Sequence, residues 1–287
     1  MKKVPVLIHF AFLFLVSACG KVGSDLDEPG EPNPPQTGTV IKSGDTVRMV
    51  TYNIHHANPP SRPGEIDIEA IAAVINRVNP DVVALQEVDV RTQRSGPSLD
   101  QARTLATRTG MQVFFSKSID YQGGEYGNAI LSRYPIVQRV RHELPSVPGV
   151  STEARSLAVI AVETENGERI YFGTTHLDVS HAETRNLQVD KLRDVNEALG
   201  APFVLGGDFN AQVGSETINR LVAGNVFRVA CLGSCPNTIP AASPSRAIDF
   251  IFLNQAASSA FTVVGYASVN ETYASDHRPV VAELVYR

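Results

Sequence analysis

The stretch FVLGGDFN, residues 203–210, is an apolar run that stops abruptly on two polar side chains, Asp208 and Asn210. A short apolar run of this kind reads as a buried strand, and the same form recurs along the chain. VTYN ends on Asn53, VALQE ends on Glu87, and TTHLD ends on His176 and Asp178. Asp249 sits inside AIDFIF, and Asp276 with His277 opens the last apolar run in SDHRPVVAELVY. Carboxylates, amides and imidazoles therefore collect at the ends of core strands. Burying so many ionisable groups together is costly unless a cation or an anionic substrate compensates them. A hard divalent metal with oxygen ligands is the natural compensator.

Working outward, strand-like runs are expected at residues 47–54, 81–88, 111–117, 128–133, 156–164, 169–177, 203–209, 247–253 and 280–286. Helical spacing of apolar residues marks 66–79, 98–110, which stops on Gly110, and 182–200, which stops on Gly200. No short-period repeat is present. Strands outnumber helices, and the mixture points to an α/β protein of packed sheets covered by helices. With 287 residues, 43% hydrophobic and 19% charged, the chain is ordinary globular material, enough for one large domain.

The N-terminal stretch MKKVPVLIHFAFLFLVSACG has a basic tip, an apolar run from Val4 to Val16 and small residues just before Cys19. This is the form of a bacterial export signal spanning residues 1–18. Its apolar run is shorter than the roughly 20 residues a membrane-crossing helix needs. VSAC resembles the lipobox of bacterial lipoproteins, which would make Cys19 the lipidated first residue of the mature protein. Residues 19–45 begin with a Pro-, Gly- and acid-rich segment that reads as a tether, followed by one domain over 46–287. Loss of residues 1–18 removes two lysines and no acid, taking the formal charge from −5 to −7. An acidic balance argues against long polyanions as substrates, because phosphate neutralisation supplies most non-specific nucleic-acid affinity. Cys231 and Cys235 are the cysteines left after Cys19. In an exported protein, a disulfide is the better reading of them than a metal site.

TYNIHHA, LQEVD, YGNAILSRYP, THLD, GGDFN, AIDFIF and SDHRPV, in this order and spacing, resemble the motif set of the endonuclease/exonuclease/phosphatase superfamily, the deoxyribonuclease-like fold, over about residues 46–287. The resemblance implies a four-layer α/β sandwich, two packed mixed β-sheets flanked by helices. It also implies a Mg²⁺-dependent phosphoester hydrolase site at one end, with Mn²⁺ able to substitute. It makes Glu87 the main metal-ligating carboxylate, with Asn53 beside it and Asp276 close by. His277 matches the histidine that contacts the scissile phosphate and serves as general base, and Asp249 the carboxylate that orients it. Asp208 and Asn210 match the pair that positions the attacking water, with Asp208 an alternative base, and His176 the group that stabilises the transition state or serves the leaving group. Asn128, Arg155 and Asp178 are candidates for substrate contact, the first two also for bracing the sheet. Arg133 reads as structural, His55 and His56 as a polar loop rim, and Arg278 as a support for the Asp-His turn.

Members of this superfamily cleave DNA, inositol phosphates and sphingomyelin, so specificity must come from loops. The loops at 55–67, 91–100 and 118–127 mix Arg, Tyr and Gly without a long basic run, which favours a small or lipid-derived phosphoester. A surface nuclease is the alternative. A non-catalytic binding protein on the same fold would have lost a catalytic residue, and none of the matched positions is lost. The protein is expected as a monomer in the bacterial cell envelope, held to a membrane through Cys19 and facing the periplasm or the exterior. Changing Cys19 to Ser should then release it from the membrane fraction. Absence of a fatty-acid label on the unaltered protein would dismiss the anchor.

Overall fold

The computed structural model describes Met1 and residues 39–287. The export signal, Cys19 and most of the tether lie outside the described residues. Two six-stranded sheets form the centre. The first runs β11 (Phe261–Ser268), β12 (Val280–Tyr286), β1 (Thr46–Asn53), β2 (Val82–Val90), β4 (Gly124–Ser132), β3 (Gln112–Tyr121). The second runs β5 (Gln138–Leu144), β6 (Arg155–Glu163), β7 (Arg169–His176), β8 (Phe203–Asp208), β10 (Asp249–Asn254), β9 (Phe227–Val229). Each sheet has one parallel pair, β1 with β2 and β7 with β8, and is otherwise antiparallel. Both are therefore mixed.

Side chains alternate between the faces of a strand, and this alternation builds the layers. Met49, Ala84 and Ile130 of the first sheet meet Ile160, Phe172, Val204 and Ile251 of the second in the central core. The intervening residues turn outward. Tyr52, Val83 and Leu85 pack against Ile71 and Ile75 of α1 (Ile68–Val78) and Leu105 of α2 (Gln101–Thr109). Phe203, Leu205 and Phe252 pack against Leu192 of α3 (Ala182–Leu199) and Leu221 of α4 (Glu216–Val222). The result is the expected four-layer sandwich of helices, two sheets and helices.

The three helices legible in the sequence are ended as their residues require. Asp67 and Asp100 accept hydrogen bonds from Ala70 N and Arg103 N at the starts of α1 and α2, satisfying free N–H groups. Gly110 and Gly200 close α2 and α3 in the left-handed conformation. Strands β5, β9 and β11 and the short helices α4 and α5 (Gln255–Ala260) were not among the expected elements. Ile41, placed in the tether by the sequence reading, is instead fully buried in the central core and bridges Thr164. Its apolar side chain is what draws this end of the chain into the body. Cys231 and Cys235 are joined as a disulfide.

At Gly206 the two sheets are in close contact. A Cβ there would stand 3.0 Å from the Cβ atoms of Ala84 and Thr51 and 3.1 Å from Met49 Cε. Gly206→Val should destabilise the protein by about 1–3 kcal/mol through overpacking, lowering the melting temperature by roughly 3–10 °C. Thermal unfolding measures this, and an unchanged midpoint would mean the sheets have slack at this point.

Candidate functional site

Strand register assembles the site. On the parallel pair β7–β8, His176 stands opposite Asp208, and on the antiparallel pair β8–β10, Asp249 stands opposite Asp208. His176, Asp208 and Asp249 thus form one row across three adjacent strands, and all are buried. From the facing sheet, Asn53 Nδ2 donates to Asp208 Oδ2 at 3.1 Å and to Glu87 Oε1 at 3.0 Å. One amide ties the carboxylates of the two sheets together.

Glu87 reaches this position through a break in its strand. Pairing of β2 with β4 is regular to Leu85↔Ala129 and resumes at Val88↔Gly127, so β2 carries one extra residue. Glu87 lies in this bulge at φ +58°. A bulge of this kind re-aims a side chain. Gln86, just before it, points between the sheets, where its Nε2 donates to Thr51 Oγ1 at 3.1 Å and Thr174 Oγ1 at 2.8 Å. Burial would raise the Glu87 carboxyl, but the neighbouring His56, His176 and Asn53 outweigh it and hold the group well below the usual carboxylate range. Between His56 Nδ1 and Glu87 Oε2 the distance is 3.9 Å, so this influence acts across an ion-pair separation rather than a hydrogen bond.

On the turn before β12, His277 Nδ1 contacts both oxygens of Asp249, at 3.1 and 2.9 Å. Its Nε2 faces Asp208 Oδ2 at 3.8 Å. Burial would lower the His277 imidazole, yet the charge and hydrogen bond of Asp249, with Asp208 behind it, push it up to about 10. Burial and the Asp249 charge raise Asp208 to about 7. His176 behaves oppositely: burial first, and then the Arg155 guanidinium, hold it well below its ordinary value. Arg155 Nη1 donates to His176 Nδ1 at 3.1 Å, so the ring proton is on Nε2, which faces Asp208 Oδ2 at 3.6 Å.

Asn210, at φ +47°, donates its backbone N–H to Asp208 Oδ1 and its Nδ2 to Leu177 O. Asp276 adds its charge to the His277 surroundings. The substrate candidates divide. Arg155 is buried, pairs with Glu153 at 2.8 Å and faces His176. Asn128 instead donates to Ser156 O of the facing sheet at 2.9 Å, which is the bracing role. Asp178 is buried and its Oδ1 accepts from the backbone N–H groups of Ser180 and His181, so it holds the turn before α3. Arg133 is structural, donating to Pro80 O and Asn79 Oδ1. Arg278 supports the Asp-His turn by donating to Ala241 O at 2.7 Å.

Three contributors carried no individual expectation. Thr238 Oγ1 donates to Asp249 Oδ2 at 2.5 Å from an irregular loop, fixing the far side of that carboxylate. Ser275 Oγ donates to Asn53 O at 2.7 Å and accepts from His277 N at 3.2 Å. It joins the histidine turn to β1, and its place in SDHRPV was the available signal. Glu153 is the partner of Arg155.

Among the described residues, ligand atoms of Asp208, Asp249 and His277 lie within 4.8 Å of one another, a group able to hold a metal ion. Within it, His277 Nδ1 and the Asp249 carboxylate are already engaged with each other, and Thr238 holds Asp249 from the other side. Glu87 offers an ionised, partly exposed oxygen at the same end. This oxygen-rich donor set suits a hard divalent cation.

Residues 50–277 match the model of the Endonuclease/Exonuclease/phosphatase family. The uncharacterized protein YbhP of Escherichia coli K12 is 26% identical over 249 residues, covering 83% of this chain and 96% of its own. An endonuclease/exonuclease/phosphatase from Beutenbergia cavernae is 27% identical at TM-score 0.69, over 84% of this chain and 72% of that one. The mannosyl-6-phosphatase Bt3783 of Bacteroides thetaiotaomicron shares the fold at TM-score 0.68, 21% identity, 84% of this chain and all of its own.

The electrostatics of the metal-free protein set a pH dependence. His277 is raised in the fold from 6.5 to about 10. Its ion pair therefore stabilises fully below about pH 6.5, and that stabilisation is lost as pH rises through 10. Melting temperature in EDTA should fall between pH 7 and 9, and His277→Gln should flatten that fall. A slope unaffected by the substitution would contradict the charged pair.

Proposed function

The chain belongs to the endonuclease/exonuclease/phosphatase family, and we propose that it is a Mg²⁺-dependent hydrolase, acting outside the cytoplasm, on a small or lipid-derived phosphoester. The single observation carrying this reading is the register row His176–Asp208–Asp249 facing Asn53 and Glu87 across the sandwich. Glu87, with Asn53 bonded to it and Asp276 from the histidine turn, would hold the cation, which when bound offsets charge developing on the phosphoryl and leaving oxygens.

The protein's own groups would then divide the proton work. His277, kept cationic by Asp249, faces the phosphoryl group as a charge-assisted donor. Asp208, raised toward neutrality by burial, is the better-placed base for the attacking water. This favours Asp208 over His277 in that role. Asn210 and Asn53 fix the Asp208 carboxylate, each binding a different oxygen. His176, neutral and with its proton on Nε2, donates toward a phosphoryl oxygen, and Arg155 fixes that tautomer.

Support for a small substrate comes from the charges at the mouth. Arg155 is paired with Glu153, and Arg94 is spent on the buried carboxylate of Asp89, at 2.7 and 2.9 Å. Neither guanidinium is left over for a run of phosphates. Assays should use an aryl phosphodiester, sphingomyelin, inositol phosphates and plasmid DNA, each with Mg²⁺ and with EDTA. Hydrolysis of a small or lipid phosphoester should require Mg²⁺ and exceed that of DNA. His277→Ala and Asp208→Asn should each lower kcat by roughly 10²–10⁴. Preference for plasmid DNA would replace this reading with the nuclease, and full activity in EDTA would end the metal-dependent account.

A further inference from the structure

We propose that His56, through Nδ1, is a ligand of the cation held by Glu87, and that it biases the site toward divalent ions that accept nitrogen, Mn²⁺ above Mg²⁺. This rests on the reading that Glu87 binds the cation of the reaction.

The first observation is backbone strain. His55, His56 and Ala57 follow one another at φ +47°, +42° and +57°. Non-glycine residues visit this left-handed region singly, and successive ones are disfavoured because Cβ crowds the following carbonyl. The turn is nevertheless locked. Ala57 N donates to Ile54 O at 2.8 Å, Asn58 N to His55 O at 2.9 Å, and Gln101 Nε2 to His56 O at 2.7 Å. His55 Nδ1 donates to Asn58 O at 2.8 Å, so that ring braces the turn. Strain held in place by surrounding structure is a mark of functional positions.

The second observation is the atom this strain presents. His56 Nδ1 is buried and has no hydrogen-bond partner. It faces Glu87 Oε2 at 3.9 Å, and Glu87 is itself turned there by a bulge at φ +58°. Two unfavourable backbone conformations thus converge to bring a nitrogen lone pair and a carboxylate oxygen together, yet leave them too far apart to bond each other. Two ligands each about 2.1 Å from one ion stand roughly 3.0–3.4 Å apart. Closure by roughly 0.5–0.9 Å would let one ion satisfy both. Imidazole is above all a ligand of the later transition ions; Mn²⁺, though it also takes oxygen ligands, gives up water for nitrogen more readily than Mg²⁺, which dehydrates reluctantly.

The test uses the full chain, stripped with EDTA and dialysed. Mn²⁺ and Mg²⁺ binding is measured by calorimetry, and nitrogen coupling to bound Mn²⁺ by pulsed electron paramagnetic resonance. Asn tolerates the left-handed region, so His56→Asn removes the imidazole while keeping the turn, and its melting temperature should be no lower than that of the unaltered protein. The unaltered protein should show the coupling. His56→Asn should lose it, with Mn²⁺ bound at least about tenfold more weakly and Mg²⁺ changed by less than about threefold. His55→Asn should keep the coupling. If His56→Asn leaves the coupling and the Mn²⁺-to-Mg²⁺ ratio intact while Glu87→Gln abolishes binding, the ligand assignment falls and the Glu87 reading stands. If neither variant alters Mn²⁺ binding, both fall.

Discussion

The open end of the sandwich is organised round the buried carboxylate of Asp208. An unpaired charge at that depth would be expensive, and four groups from four directions moderate it. Asn53 comes from the facing sheet, Asn210 from its own turn, His176 from the next strand and His277 from the last turn of the chain. Asn53 reaches it because the sheets are close, and they are close because Gly206, two residues earlier on the same strand, has no side chain. The first glycine of GGDFN is therefore part of the chemistry. It sets the spacing at which one amide can hold carboxylates of both sheets.

The alternation that builds the layers also made most of them readable. All nine expected strands exist. Eight of them are interior and largely apolar, and the ninth, β3, is an edge strand made legible by its Val113, Phe114 and Phe115. The missed ones, β5, β9 and β11, are the other three edge strands. In β5, QRVRHEL, Val140 between two arginines is the one apolar residue before Leu144, and the strand is mostly half-buried. β9 has three residues, and β11 is interrupted at Gly265 where its pairing with β12 slips. Edge strands pack on fewer neighbours and tolerate charge and irregularity, so their periodicity is weak. The helices α4 and α5 are only seven and six residues long, too short for apolar spacing to stand out.

At the site, legibility follows the same physics. His176, Asp208 and Asp249 could be read because each interrupts an apolar strand, and the register aligns them as neighbours. Glu87 could be named as a residue, but nothing in LQEVD announces the bulge that aims it. His56 looked like loop rim because a left-handed turn at His-His-Ala runs against the preferences of those residues. Only the assembled surroundings impose it. Thr238 lies in a loop without regular structure and acts through one hydroxyl. Asn128 and Asp178 illustrate the reverse problem: polar residues beside a site can be occupied in holding backbone, as both are here.

The fold also has a direction. Every strand end that carries chemistry lies at one pole, with Asn53 ending β1 and Arg155 beginning β6. The chain enters at the other pole, where Ile41 bridges Thr164 just beyond the far end of β6 and Gly44 N donates to Tyr286 O. The point where the chain enters the domain and the reacting groups are therefore separated by the length of the sandwich, eight residues along β1 or roughly 26 Å.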